Sequence, residues 1–96
     1  MMKTKPELKA LIREIIQHHR IYFGKHCRED SMPGRSVYSD DFLKVLAWGE
    51  IVHHEWVETH RAYKCEIKGT DIEGDDLTLI VSVSEIDFKV RCITVF

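Results

Sequence analysis

The sequence predicts an α+β fold of two layers, with two main helices packed on one face of a roughly four-stranded antiparallel sheet. The C-terminal third predicts the sheet, because it holds three runs separated by polar turns: Tyr63–Lys68, Leu77–Val83 and Lys89–Phe96. The second and third runs are rich in Val, Ile, Thr and Phe, which favour strands. Two amphipathic segments upstream supply the apolar stripes that cover such a sheet. With 96 residues and 44% hydrophobic content, the chain is expected to form a single α+β domain, residues 1–96.

The first predicted element is a helix from about Lys5 to about His18. Thr4 is a good N-cap and Glu7 stands three residues later, which is the capping-box pattern. The apolar residues recur at the spacing of one helix face: Leu8, Leu11, Ile12, Ile15 and Ile16. This face is expected to pack on the strands, which form the one large apolar surface that the sequence offers.

The following region is less regular. Residues 21–23 are predicted to form a short extended piece, and Gly24 interrupts it. Residues 26–32 are predicted to form one or two helical turns. Pro33 and Gly34 are a turn signal that ends them.

The second helix is predicted to open at Ser39 as its N-cap and to close at Gly49, with Trp48 packed at the rim of the core. Residues 50–58 then predict an edge strand or an irregular segment, because their alternation of apolar and polar residues is imperfect. Strict alternation places four of them together on one face: Ile51, His53, Glu55 and Val57.

Three cysteines, an odd number without a Cys-x-x-Cys pair, indicate a reducing environment. Cys65 and Cys92 lie inside strand patterns, so we expect both to be buried, reduced and inert, whereas Cys27 fits no pattern. No apolar run approaches the about 20 residues of a membrane span, and no secretory h-region follows the N-terminus. The expectation is a cytoplasmic protein that does not enter a membrane.

The net charge of −2 conceals an uneven distribution. Residues 1–28 carry seven Lys or Arg and two Glu, whereas residues 29–96 carry seven Lys or Arg and fourteen Asp or Glu. A basic segment on an acidic body indicates an anionic ligand near the helix, self-association, or simply a solvated helix face beside acidic turns.

Four short motifs stand in order along the chain: Phe23-Gly24-Lys25-His26, Ser39 to Leu46, Gly49-Glu50-Ile51-Val52 and Ile93-Thr94-Val95-Phe96. In this order they resemble a family of short prokaryotic proteins known only as a domain of unknown function, often found beside a small zinc-ribbon antitoxin-like protein. The chain is more distantly similar to RelE-like toxins. That resemblance implies a toxin–antitoxin ribonuclease that cleaves RNA without metal or other cofactor.

The sequence departs from the family pattern at several positions. The family places arginines four and eight residues after the motif histidine, where this chain has Asp30 and Gly34. Arginines stand instead at Arg28 and Arg35, and the closing aromatic residue is Phe96 where the family has tyrosine. RelE-like nucleases are usually basic, whereas this chain is slightly acidic.

His26 is the strongest candidate for chemistry, because imidazole transfers protons near neutral pH. RNA cleavage by attack of the 2′-hydroxyl needs a base, an acid and positive charge at the phosphate, so we expect His26 and Arg28 to be catalytic and Arg20, Lys25 and Arg61 to bind the substrate. The alternative is that His26 fills the junction between helix and sheet, hydrogen-bonded to a backbone carbonyl. No metal is predicted, since the remaining histidines lack ligand spacing.

A second hypothesis is a non-enzymatic interaction module of the same fold. It would form a homodimer, or bind a small antitoxin-like partner chain, through the edge at Glu50–Glu58. Trp56 would be the partner-binding anchor, because tryptophan is enriched at interface hot spots.

Overall fold

The computed structural model describes residues 2–34 and 36–96; Arg35, one of the displaced arginines, lies outside the described residues. The elements in chain order are α1 (Lys5–Gln17), β1 (Ile21–Phe23), a π-helical turn (Cys27–Ser31) that leads into α2 (Met32–Gly34), α3 (Ser39–Trp48), β2 (Glu50–Val57), β3 (Ala62–Thr70), β4 (Asp76–Ser84) and β5 (Lys89–Val95). Over these described ranges, no helix is both long enough and apolar enough to cross a membrane.

The sheet has five strands in the order β1-β5-β4-β3-β2. The α+β class is confirmed, and the four predicted strands β2 to β5 pair antiparallel. The extended piece at residues 21–23 is a fifth strand, β1, which pairs parallel with β5 and makes the sheet mixed. Three residues are too few to show an alternating pattern, so the pairing became visible only in the structure.

α1 and α3 pack on one face of the sheet and enclose the core. The capping box of α1 is present, with Glu7 N–H donating to Thr4 Oγ1 at 3.3 Å and Thr4 N–H donating to Glu7 Oε1 at 3.0 Å. The largest fully buried side chains come from α1, from α3 and from three strands: Leu8, Ile12, Ile15, Phe42, Val45, Leu46, Ile67, Leu77, Leu79, Val81, Val83 and Val90.

The N-cap of α3 is Tyr38, one residue earlier than the predicted Ser39. The side chain of Asp41 caps the N-terminal end of α3. Its carboxylate accepts hydrogen bonds from the backbone N–H groups of Ile72 and Tyr38, each at 3.0 Å. These two hydrogen bonds lower the pKa of Asp41 below its usual range. The carboxylate thereby ties the start of α3 to the turn between β3 and β4.

Two basic side chains of α1 form hydrogen bonds with carbonyl groups at the C-terminal end of α3. Lys9 Nζ donates to the carbonyl oxygens of Leu46 and Gly49, and Arg13 Nε donates to that of Ala47 at 3.3 Å. Cations are favourable at a helix C-terminus, where carbonyl groups lack intrahelical partners. Burial, and then the charge of Arg13, lower the pKa of Lys9. For these two side chains the charge has a structural role.

Trp48 does not pack at the rim of the core as predicted. It is 76% exposed, with the Arg13 guanidinium 5.2 Å from its ring centroid. The buried face of α3 is already filled by Phe42, Val45 and Leu46, which leaves Trp48 pointing away from the core.

A β-bulge in β2 changes which residues share a face. Ile51 pairs with Ile67, but His53 pairs with Glu66, so β2 has one extra residue at this point. After the bulge, the residues opposite buried Cys65 and Tyr63 are His54 and Trp56. The predicted grouping of Ile51 with His53, Glu55 and Val57 is therefore wrong.

The cysteine prediction is confirmed for Cys65 and wrong for Cys92. Cys65 is free and buried, and burial raises the pKa of its thiol to about 12. Cys92 forms a disulfide with Cys27, 65 residues away along the chain, and both residues are fully buried. Because disulfides persist mainly in oxidising compartments, this bond counts against the cytoplasmic location, which stays a prediction.

Candidate functional site

The face of the sheet opposite the helices carries a groove of about 620 Å³. Its floor is formed by the start of β3, the end of β4, the middle of β5 and the end of β2, and one wall is the segment from Gly24 to His26. His60, in the turn between β2 and β3, lies at the opposite side. The groove thus collects side chains from four strands and from the segment that follows β1.

One row of side chains crosses this face through the register of all five strands. Tyr22 in β1 pairs with Arg91, Arg91 with Ser82, Ser82 with Lys64, and Lys64 with Glu55. Neighbouring strands lie about 4.8 Å apart, so the Cα atoms of Arg91 and Lys64, which are two strands apart, are separated by roughly 10 Å. The hydroxyl group of Ser82 lies on the strand between them. From β1 to β2, the row therefore consists of an aromatic ring, a cation, a hydroxyl group, a second cation and a carboxylate.

His26 stands over this face, where the chain leaves β1 and enters the π-helical turn. Its Nε2 lies 3.4 Å from Thr94 Oγ1, and its Nδ1 lies 3.3 Å from Asp30 Oδ2. Its side chain is 64% exposed, and neither contact is to a backbone carbonyl, so His26 does not fill the junction between helix and sheet. The Asp30 carboxylate at Nδ1 orients the imidazole, and Nε2, which contacts the Thr94 hydroxyl, is the nitrogen at which a proton can be exchanged.

Gly24 holds this wall close to Arg91. A Cβ at Gly24 would lie 3.1 Å from the Cys92 carbonyl oxygen and 3.4 Å from Nε and Nη2 of Arg91. Gly24 N–H also donates to that carbonyl at 3.2 Å. The adjoining Cys27–Cys92 disulfide anchors the same segment, so His26 and Arg91 are held at one side of the groove.

The groove is electropositive although the whole chain is not. Its lining includes Lys25, Lys64 and Arg91 against the single carboxylate Glu55, which is a net charge of +2 with the histidines neutral. In the part of the chain that the structure describes, neither Lys64 nor Arg91 forms an ion pair. These two cations are therefore available to an anionic ligand.

Of the residues predicted to act together, the structure brings only Lys25 and His26 into this groove. Arg28 lies in a separate depression that Met32 and Tyr38 also line. Arg61 lies elsewhere, in a depression beside Trp56 and Tyr63.

Arg20 lies beside the groove, at the edge of the sheet. Its guanidinium donates to the carbonyl oxygens of Phe88 and Asp87, each at 3.3 Å, and lies 5.7 Å from the ring centroid of Tyr22. It is thus fixed close to the aromatic end of the row.

Trp56 is half-buried on the helix side of the sheet. Its ring packs edge-on against Tyr63, with centroids 5.0 Å apart, and its indole N–H donates to the Glu58 carboxylate. Trp56 thus contacts Tyr63 and Glu58 of its own chain, and its role as a partner-binding anchor stays a prediction.

Sequence reasoning missed Lys64, Ser82, Arg91 and His60 as groove residues. The first three occupy polar positions within alternating strands, which is the available signal for a solvent-facing side. Their juxtaposition depends on strand register, which short alternating runs do not specify.

Among the residues that the structure describes, no three or more His, Cys, Asp or Glu side chains are grouped to hold a metal ion. Comparisons with protein-family models, with curated proteins and with solved structures found no match to this chain. The resemblance to the domain-of-unknown-function family and to RelE-like toxins therefore stays a prediction, and the chemistry of the groove is what points to a function.

Proposed function

We propose that this protein binds RNA in the groove and cleaves it without a metal, as a RelE-like toxin of a toxin–antitoxin pair would. The observation that carries the proposal is that one electropositive groove holds His26 together with Lys64 and Arg91, two cations that form no ion pair among residues 2–34 and 36–96. A phosphodiester is anionic, and its cleavage needs proton transfer and stabilisation of charge on phosphorus oxygens.

In the proposed reaction the ribose 2′-oxygen attacks the adjacent phosphorus, and the bond from phosphorus to the 5′-oxygen breaks. The proton of the 2′-hydroxyl is taken up and a proton is given to the leaving 5′-oxygen, which yields a 2′,3′-cyclic phosphate and a 5′-hydroxyl. His26 carries one of these proton transfers, and solvent water in the groove carries the other. Arg91 and Lys64 stabilise the pentacovalent phosphorane.

This assignment retains His26 and Lys25 from the sequence analysis and gives Arg91 the place first assigned to Arg28. Asp30 is a positioning residue, because its carboxylate lies at Nδ1 of His26 and not in the groove lining. The family that the chain resembles has arginine at that position, so this chain would orient its histidine where that family places a cation.

The test compares the intact chain with His26→Ala, Arg91→Gln and the control Arg28→Gln, which changes an arginine outside the groove. Growth and total RNA are followed after expression, and the ends of the RNA products are analysed with purified protein. We expect His26→Ala to lower the cleavage rate about 10²- to 10⁴-fold, Arg91→Gln to lower it as well, and Arg28→Gln to leave it unchanged. Equal cleavage by the intact chain and His26→Ala would refute the proposal.

A second candidate function is the interaction module, and one observation favours it. β2 is an edge strand of the sheet, and its outer side has no partner strand among residues 2–34 and 36–96. Val52 at its bulge is 36% exposed, so a second copy or an antitoxin-like chain could add a strand here. Light scattering of the intact chain and of Val52→Lys tests the homodimer, and a monomeric mass for both would count against it.

A further inference from the structure

Tyr22 is an exposed tyrosine at the edge of the sheet. It lies in β1, the strand at the other edge of the sheet, and its side chain is 45% exposed although its neighbours Ile21 and Phe23 pack against the core. Its register partner is Arg91, so it continues the cationic row of the groove to the sheet edge. Among the described residues β1 pairs with no strand other than β5, so Tyr22 lies at a free edge of the sheet, next to the groove lining and not part of it.

Two cations lie over the ring in cation–π contacts. The guanidinium carbon of Arg20 is 5.7 Å and Nζ of Lys89 is 5.9 Å from its centroid. Arg20 is held in place by the backbone carbonyl groups of the turn between β4 and β5. An aromatic ring with an arginine held over it, next to a positively charged groove, is the combination that binds single-stranded nucleic acids.

We propose that the groove takes single-stranded RNA, one base of which stacks on Tyr22 while the adjoining backbone runs across Arg91 and Lys64. This inference rests on the proposed function and names its substrate class. A base within a duplex is already stacked on both faces and does not reach a ring at the level of the sheet. An unpaired base does reach it, and stacking tolerates any sequence because every base has a π-face.

The experiment measures the affinity of the intact chain for a short fluorescein-labelled RNA by fluorescence anisotropy. The RNA carries 2′-O-methyl groups, which remove the attacking hydroxyl and so prevent cleavage during titration. The same strand annealed to its complement is the duplex probe. The variants are Tyr22→Ala, Tyr22→Phe, which keeps the ring, and Tyr38→Ala, which removes an exposed tyrosine outside the groove.

We expect Tyr22→Ala to weaken binding of the single strand about 5- to 140-fold, the range measured for loss of one stacked base. Tyr22→Phe and Tyr38→Ala should bind as the intact chain does, and the duplex should bind less tightly than the single strand. Unchanged affinity in Tyr22→Ala, or a duplex bound as tightly as the single strand, would overturn the inference.

Different results would refute the stacking site and the proposed function. If unmodified single-stranded RNA is cleaved in a His26-dependent manner while Tyr22→Ala binds normally, the stacking site is wrong and the proposed function stands. If the intact chain binds neither probe, both are refuted. The comparison of single strand with duplex uses the intact chain alone, so the inference can be refuted even if Tyr22→Ala does not fold.

Discussion

The salt dependence of RNA binding tests whether the groove cations contact phosphate. Lys64→Met is the perturbation, because methionine keeps most of the aliphatic length and removes the charge. Lys64 sits on the groove floor between Ser82 and Glu55 and forms no ion pair within the described residues, so its loss should leave the fold intact.

The expected magnitude follows from the number of cations in the groove. Three line it, Lys25, Lys64 and Arg91. Each phosphate neutralised on a single strand contributes about −0.7 to the slope of log K against log salt concentration, so the intact chain should show a slope of about −2.1 and Lys64→Met about −1.4. Between about 50 and 200 mM salt, affinity should fall roughly 18-fold for the intact chain and roughly 7-fold for the variant.

The assay is anisotropy titration of the 2′-O-methyl single strand at several salt concentrations. Lys5→Met is the matched control, because Lys5 lies on α1, which packs on the other face of the sheet. Its slope should equal that of the intact chain. An unchanged slope in Lys64→Met would show that Lys64 neutralises no phosphate, and the reasoning from the groove's charge would be wrong.

Three further predictions concern the fold that holds the groove. Gly49→Ala should lower the free energy of unfolding by about 2 to 3 kcal/mol and the melting temperature by about 10 to 20 °C. The added Cβ would lie 2.5 and 2.9 Å from two backbone carbonyl oxygens. Gly34→Ala, which has open space around its Cβ, is the control, and equal shifts in melting temperature for the two variants would contradict the steric explanation. Asp41 has a lowered pKa in the folded protein, so its stabilisation is present above the unfolded carboxyl pKa of about 3.9 and is lost as pH falls further. Urea unfolding of Asp41→Asn should therefore show a smaller loss of stability on acidification, and the same loss as in the intact chain would refute this. Replacing Cys27 and Cys92 by serine should cost about 4 kcal/mol, since the bond closes a loop of 65 residues; an unfolding midpoint that is the same before and after reduction of the intact chain would contradict it.

Local features of the sequence were sufficient for much of the fold. The capping box at Thr4 and the spacing from Leu8 to Ile16 predicted α1, because both signals are confined to a few turns of one helix. The alternating runs after residue 62 predicted three strands of the sheet for the same reason. Lys25 and His26 were also identified locally, from a short motif.

Long-range packing decided the rest. The row from Tyr22 through Arg91 to Lys64 exists because β1, β5, β4 and β3 adopt one register, and a shift by one residue would turn these side chains to the other face. The disulfide of Cys92 likewise depends on the π-helical turn lying against β5. Sequence patterns identify the face of each strand, but only the packed structure determines which side chains from different strands lie next to each other. The proposed RNA site consists of side chains that are brought together in this way.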